Sequence, residues 1–175
     1  LTPSTLIDDG PLAIAAGGVS ALALAPFNAF PLLWATIPAF VWLIDGAARA
    51  DGRRRRQVLL AGAAVGWCFG LGYFLGGLWW IGAAFLVDVD QFAWLMPIAI
   101  IILPAGLALF WGLGAGVAAL FWRPGWPRIL LFASALSVGE WLRGHILTGF
   151  PWNAFGYTLT PAPVMMQSAA LVGLW

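Results

Sequence analysis

The sequence has no lysine, one cysteine (Cys68), one histidine (His145) and few charges of any kind. Charged residues make up 9% of its 175 residues, where a soluble globular domain carries about 25%. From Gln57 to Val87, and again from Gln91 to Trp122, there is none. Each run exceeds the roughly 20 residues that cross a bilayer core, and neither has the polar face that a soluble helix of that length needs. The shortage of charge excludes a soluble domain and makes this an integral membrane protein. The shortage of reactive side chains excludes more. Cys68 lies mid-span among glycines and aromatics, where a thiol is inert filler. His145 has no serine or cysteine nucleophile placed beside it and reads as an interfacial imidazole rather than a general base. Asp88 and Asp90 are too few ligands for a metal cage. The sequence therefore assigns no catalytic residue, no metal ligand and no cofactor, and nothing in it calls for a nucleic acid.

What the chain does have is hydrophobic surface, 62% of its residues, and twelve tryptophans. All eight basic residues are arginine, and their placement carries information that the net charge of +1 does not. Arg49 and Arg53 to Arg56 share one short loop, and Arg123 and Arg128 flank a Pro-Gly-Trp-Pro turn. Short arginine-rich loops stay in the cytoplasm, so loops 47–56 and 122–128 are expected inside. The Asp88-Val89-Asp90 loop between the two long runs, 87–90, is expected outside, and so is 143–162.

Reading outward from those loops predicts an all-α fold, a polytopic transmembrane bundle of about five complete membrane helices plus the start of a sixth. Helix 1 is expected over about Pro11 to Ala25 and helix 2 over Leu32 to Ile44, separated by a Pro-Phe-Asn-Ala-Phe-Pro turn whose prolines discourage helix at the preceding residue. Helix 3 is expected from Gln57 to Phe85, helix 4 from Gln91 to Phe121, helix 5 from Ile129 to about Leu142, and helix 6 from near Pro163 to Trp175. No basic segment precedes helix 1, so it does not read as a signal peptide. A start at Leu1 and an end inside an apolar segment read as a piece of a longer protein.

In helix 3, Gly62, Gly66 and Gly70 recur every four residues on one face. Lipid supplies no hydrophobic drive between helices, so small residues that admit a close backbone become the contact surface. A phosphate loop needs a strand before its glycines, which this apolar span lacks; Gly112, Gly114 and Gly116 read the same way, as packing glycines. Trp79, Trp80 and Trp94 fall at the outer ends of their helices and Trp122 and Trp126 at the inner end, as in an aromatic belt. A sharper reading has Trp79 and Trp80 lining a lipid-entry groove with Trp152.

The most unusual stretch is Glu-Trp-Leu-Arg-Gly-His-Ile-Leu-Thr-Gly-Phe-Pro-Trp-Asn-Ala-Phe-Gly-Tyr, residues 140–157. Glu140 and Arg143 stand three apart on a helix and share a face. Charges near a membrane core are costly unless paired or placed by a polar cavity, which makes such residues functional suspects. The alternative is an ion pair that simply finishes helix 5 at the interface. Gly149 permits a turn that other residues resist, Pro151 stiffens it, and Phe150 and Trp152 present rigid aromatic surface. Arg143 is a candidate to grip a lipid phosphate, unless Glu140 already occupies it.

This stretch resembles the signature of bacterial apolipoprotein N-acyltransferases. Leu-Ala-Leu-Ala-Pro-Phe-Asn-Ala-Phe-Pro-Leu-Leu-Trp (22–34) is similar to that family's first helical hairpin, and Gly-Trp-Cys-Phe-Gly-Leu-Gly-Tyr-Phe-Leu-Gly-Gly-Leu-Trp-Trp-Ile (66–81) to its third helix. The resemblance covers about residues 11–175. It implies transfer of an acyl chain from a membrane phospholipid to the N-terminal amine of a diacylglyceryl-cysteine lipoprotein, through an acyl-thioester, in the bacterial inner membrane. In the family the chemistry belongs to an extracytoplasmic nitrilase-like domain with a Glu-Lys-Cys triad, inserted after a seventh membrane helix. A chain without lysine cannot contain that triad, so residues 1–175 are expected to form the N-terminal transmembrane domain only, inactive alone. What the resemblance carries over is a site floor built by Gly149, Phe150, Pro151 and Trp152, with Glu140, Arg143, Trp79 and Trp80 as supporting or substrate-binding residues. The implied partners are phospholipid as donor and diacylated apolipoprotein as acceptor, on a monomer. Two other classes stay open, a transporter or channel subunit and a purely structural membrane module; against the first, the sequence shows no internal repeat and no second polar position deep in a span.

Overall fold

The computed structural model describes residues 3–49, 52–147, 149–167 and 169–174. Thr148 of the Thr-Gly-Phe-Pro-Trp run, positions 50 and 51 of the arginine-rich loop and Trp175, the expected end of helix 6, lie outside them. Among the described residues the protein is all-helical. Helix α1 spans Pro3–Ala21, α2 Leu33–Ala48, α3 Arg55–Leu78, α4 Val89–Phe92, α5 Met96–Leu120, α6 Pro127–His145, α7 Pro163–Met166 and α8 Ala169–Val172. Three stretches of the described residues are long and apolar enough to cross a membrane: Phe30–Ala48, Arg55–Leu86 and Val89–Leu120.

Several boundaries differ from expectation. Helix 1 begins before Pro11, which sits inside α1, and ends at Ala21. The four residues after it belong to a turn in which Leu22 N–H donates to Val19 and Ala23 N–H to Ser20. The third apolar run changes winding partway, from α-helix to a 3₁₀ segment over Trp79–Leu86, and the fourth opens with α4 and a 3₁₀ turn, Ala93–Leu95, before α5. A uniform apolar composition cannot signal such changes, because α- and 3₁₀-helix share the same residues and differ only in hydrogen-bond register. Helix 5 runs one turn further than expected, to His145, which leaves Glu140 and Arg143 within the helix. The expected helix 6 is two single turns, α7 and α8.

Helix α3 is the axis of the bundle, packed between α1 and α5. Its glycines explain how closely. A Cβ added at Gly66 would lie 2.5 Å from Ala115 Cβ and 2.6 Å from the Trp111 carbonyl oxygen on α5, and one at Gly72 would overlap the Ile14 carbonyl of α1. The α3 stripe of Gly62, Gly66 and Gly70 thus faces α5. Gly112 and Gly116 of α5 face back toward Ala63 and Leu59, and Gly114 faces Ala135 of α6. Dispersion at short range replaces the hydrophobic drive that lipid withholds. Polar glue adds to it: Ser20 of α1 donates to Thr36 Oγ1 of α2 at 2.7 Å, both side chains buried. In the centre, Phe40, Phe69, Tyr73, Phe74 and Phe155 surround the buried Trp111 with ring centroids 4.9–6.5 Å from it.

Candidate functional site

The aromatic centre sits under the end of α6. Trp111 Nε1 donates to Glu140 Oε1 at 2.6 Å, so the indole that fills the core also holds a carboxylate. Glu140 and Arg143 are 2% and 1% exposed. Their three-residue spacing on α6 lets them meet in a fork: Arg143 Nη2 donates to Glu140 Oε2 at 2.9 Å and Nε to Oε1 at 3.1 Å. The guanidinium also lies 5.1 Å from the Phe74 ring centroid. Such a pair keeps its charge out of water only if every remaining donor and acceptor is engaged. Here those groups go to the loop that follows.

The chain reverses directly after α6. Ile146 N–H donates to Leu142, Leu147 takes a positive φ of 54°, and Gly149 takes 75°. A Cβ on Gly149 would collide with the Gly144 carbonyl oxygen, so glycine is required both for its dihedral and for its space. The next residue folds back onto the helix end, with Phe150 N–H donating to Arg143 O at 2.9 Å. Arg143 Nη1 then donates to the carbonyls of Phe150 (2.5 Å) and Trp152 (2.9 Å), while Phe155 N–H donates to Glu140 Oε2 at 2.8 Å. One ion pair thus fastens residues 150–155 at three backbone points. It does not merely finish a helix at the interface. Arg143 is enclosed, and Glu140 with the loop carbonyls takes the donors that the sequence reading offered to a lipid phosphate.

With its backbone held, the loop displays its side chains. Phe150 is half-buried against the core, Pro151 is exposed and Trp152 is 56% exposed. The Trp152 indole rests on that of Trp80, ring centroids 5.4 Å apart. An apolar groove of about 570 Å³ runs between α5 and the start of the loop, lined by Leu103, Phe110, Arg143, Ile146, Gly149 and Phe150. Trp79 and Trp80 line a separate cavity of about 350 Å³ with Leu22, Pro26 and Phe27. Of the three tryptophans expected to line one groove, Trp79 and Trp80 share this cavity, and Trp152 meets it through its ring contact with Trp80.

Residues 16–175 match the family model described as the apolipoprotein N-acyltransferase N-terminal domain. The chain belongs to this family. Among its relatives, the apolipoprotein N-acyltransferase of Rhodopseudomonas palustris is 57% identical over 164 residues, 94% of this chain and 30% of the relative. That of Agrobacterium fabrum is 51% identical over 163 residues, 93% of this chain and 31% of the relative. That of Brucella melitensis is 52% identical over 163 residues, 93% and 30% respectively. The chain thus spans about 30% of the length of these curated relatives.

The remaining singled-out residues stand apart from the loop's anchoring pair. Cys68, on α3, lies near Gly10 of α1. His145 stacks on Trp141, centroids 4.4 Å apart, with Nδ1 2.7 Å from the Trp141 carbonyl oxygen. Among the described residues, no three His, Cys, Asp or Glu side chains gather as a metal site requires. The sequence reading missed three residues that the fold makes central. Trp111 carries no local signal, and only a buried carboxylate 29 positions away gives it a polar role. Tyr73 is buried against it, its hydroxyl without a hydrogen-bond partner among the described residues. Asp45, one residue past the expected end of helix 2, is 5% exposed and accepts from Trp122 Nε1 (2.6 Å), Arg128 Nη1 (2.5 Å) and Arg49 Nη2 (3.1 Å). The signal was present: a lone acid at the end of an apolar run, next to an arginine-rich loop.

Proposed function

We propose that this chain is the N-terminal membrane domain of an apolipoprotein N-acyltransferase, over residues 1–175, and that it anchors the enzyme in the bacterial inner membrane. It crosses the bilayer with about five complete helices, followed by the short turns α7 and α8. Loops 47–56 and 122–128 face the cytoplasm, and 87–90 and 143–162 face the periplasm. The whole enzyme, a monomer, moves an acyl chain from phospholipid to the N-terminal amine of a diacylated apolipoprotein. The nucleophile and base belong to an extracytoplasmic domain beyond this chain; the 175 residues form the lipid-facing floor beneath it and are inactive alone.

The observation that carries this reading is the buried Glu140–Arg143 pair, which spends its hydrogen bonds on the backbone of residues 150–155, in a loop that lines an apolar groove with Gly149 and Phe150 and exposes Trp152. A pair used this way supplies pre-organisation: lipid meets a rigid aromatic ledge whose ordering is already complete. Phe150 and Gly149 form the groove's loop-side wall, Pro151 limits the loop's freedom, and Trp80 and Trp79 extend the apolar ledge.

The test is Trp152→Ala in the full-length enzyme. An indole carries about 150–250 Å² of buriable surface. With about half still exposed, roughly 100 Å² remains for lipid to cover, an upper limit of about 2.5 kcal/mol at about 25 cal/mol per Å². Lipid chains refill part of the gap, so transfer at limiting phospholipid should fall about tenfold, with membrane insertion intact and Trp152→Phe less affected. Unchanged turnover by the alanine variant would reduce Trp152 to a belt residue.

A further inference from the structure

The other end of α6 carries a second groove, of about 610 Å³, that no part of the acyl-transfer reading uses. Its walls are apolar: Ala35, Ile37, Val41 and Trp42 from α2, and Ile129 and Phe132 from α6. Trp42 is 79% and Ile129 58% exposed, so the groove opens sideways from the bundle. Asp45 and Arg128 close it at the arginine-rich end. From Ala35 to Asp45 the α2 wall rises about 15 Å at 1.5 Å per residue, half of a roughly 30 Å hydrocarbon core. The groove therefore has the length of one leaflet's acyl layer and a polar group at one end only.

The charge at that end is unbalanced. The single carboxylate of Asp45 answers two guanidiniums, Arg49 at 3.1 Å and Arg128 at 2.5 Å, and accepts from the Trp122 indole as well. Arg128 keeps 30% of its side chain exposed, and its buried Nε has no hydrogen-bond partner among the described residues. Arg49 is 56% exposed. One more negative charge would neutralise the cluster, and basic pockets between membrane helices recruit anionic headgroups for this reason.

We propose that this groove is a binding site for an anionic glycerophospholipid, with the phosphodiester held by Arg128 and Arg49 and an acyl chain laid along Ile37, Val41 and Trp42. The bound lipid completes the charge of the Asp45 cluster and covers the gap between α2 and α6. It is a lipid of the leaflet at the arginine-rich end, distinct from any donor that meets Trp152.

The experiment uses the full-length protein purified in mild detergent, given phosphatidylglycerol or phosphatidylethanolamine with the same acyl chains, and reads bound lipid by native mass spectrometry. Phosphatidylglycerol should be retained about tenfold more than phosphatidylethanolamine. Arg128→Gln should lower that retention about tenfold by removing a phosphate donor, and Ala35→Phe should do so by filling the groove far from the charges. Because Arg128 also holds Asp45, Arg49→Gln, on an exposed side chain, carries the charge test if the Arg128 variant does not fold. Equal retention of the two lipids would overturn the proposal. So would phosphatidylglycerol retention that survives Ala35→Phe, which would place the lipid on the basic loop instead of in the groove. Since the readout is binding, it is independent of whether acyl transfer takes place at the other end.

Discussion

A buried ion pair that spends its hydrogen bonds on a loop should behave as one unit, and a double-mutant cycle on Glu140 and Arg143 measures whether it does. Glu140→Gln keeps the shape and part of the accepting capacity for Trp111 and Phe155, but leaves the Arg143 charge buried at 1% exposure. Arg143→Met leaves the Glu140 charge buried and strips two donors from the Phe150 and Trp152 carbonyls. Removing one partner of a buried pair costs about 3–5 kcal/mol, whereas removing both charges together is often far milder. Each loop carbonyl left without a donor adds about 1–3 kcal/mol if no water replaces it. Arg143→Met should therefore be the worst single substitution. The double variant should be more stable than the sum of the singles by about 2–3 kcal/mol, at the upper end of coupling between contacting residues. The assay is denaturation of the full-length protein by SDS in mixed micelles, comparing the four unfolding free energies. The same four proteins are then assayed for acyl transfer. Stability should recover in the double variant while transfer stays low, because the carbonyls that position Trp152 remain without their donor. Additivity within about 0.5 kcal/mol would refute the unit. Normal transfer by a folded Arg143→Met protein would separate the pair from loop positioning altogether.

Two further outcomes concern orientation and packing. Cysteines introduced at Gly52 and Gly125 should resist membrane-impermeant thiol reagents in intact cells, whereas one at Val89 should react; the reverse pattern would invert the bundle and the face on which Trp152 stands. Gly72→Val should lower the yield of folded full-length protein sharply, since its Cβ meets the Ile14 backbone and overpacking costs about 1–3 kcal/mol even where side chains can yield. Gly46→Ala, with nothing within 4 Å of the added Cβ, should leave the yield unchanged, and equal behaviour of the two would show that α1 and α3 are not held at backbone contact.

The sequence by itself determined the solvent and the class. Apolar runs from Gln57 and from Gln91 are too long and too free of charge to fold in water, and that constraint acts on composition, which needs no tertiary information. The same local logic identified the Gly62, Gly66 and Gly70 stripe as a contact face, because a four-residue period places small residues on one side of a helix whatever the neighbour is. It also brought Glu140 to Arg143, since three residues apart on a helix is a spatial relation fixed by helical geometry. The tertiary structure decided where those residues spend their hydrogen bonds. Whether the guanidinium of Arg143 faces a lipid phosphate or the carbonyls of Phe150 and Trp152 depends on a reversal at Leu147 and Gly149 that carries the loop back over the helix end. Trp111 and Asp45 show the same limit: each acquires its role from partners 29 to 83 positions away. Helical periodicity reports which face a side chain occupies, and a hydrogen bond between separate helices depends on how those faces are set against one another.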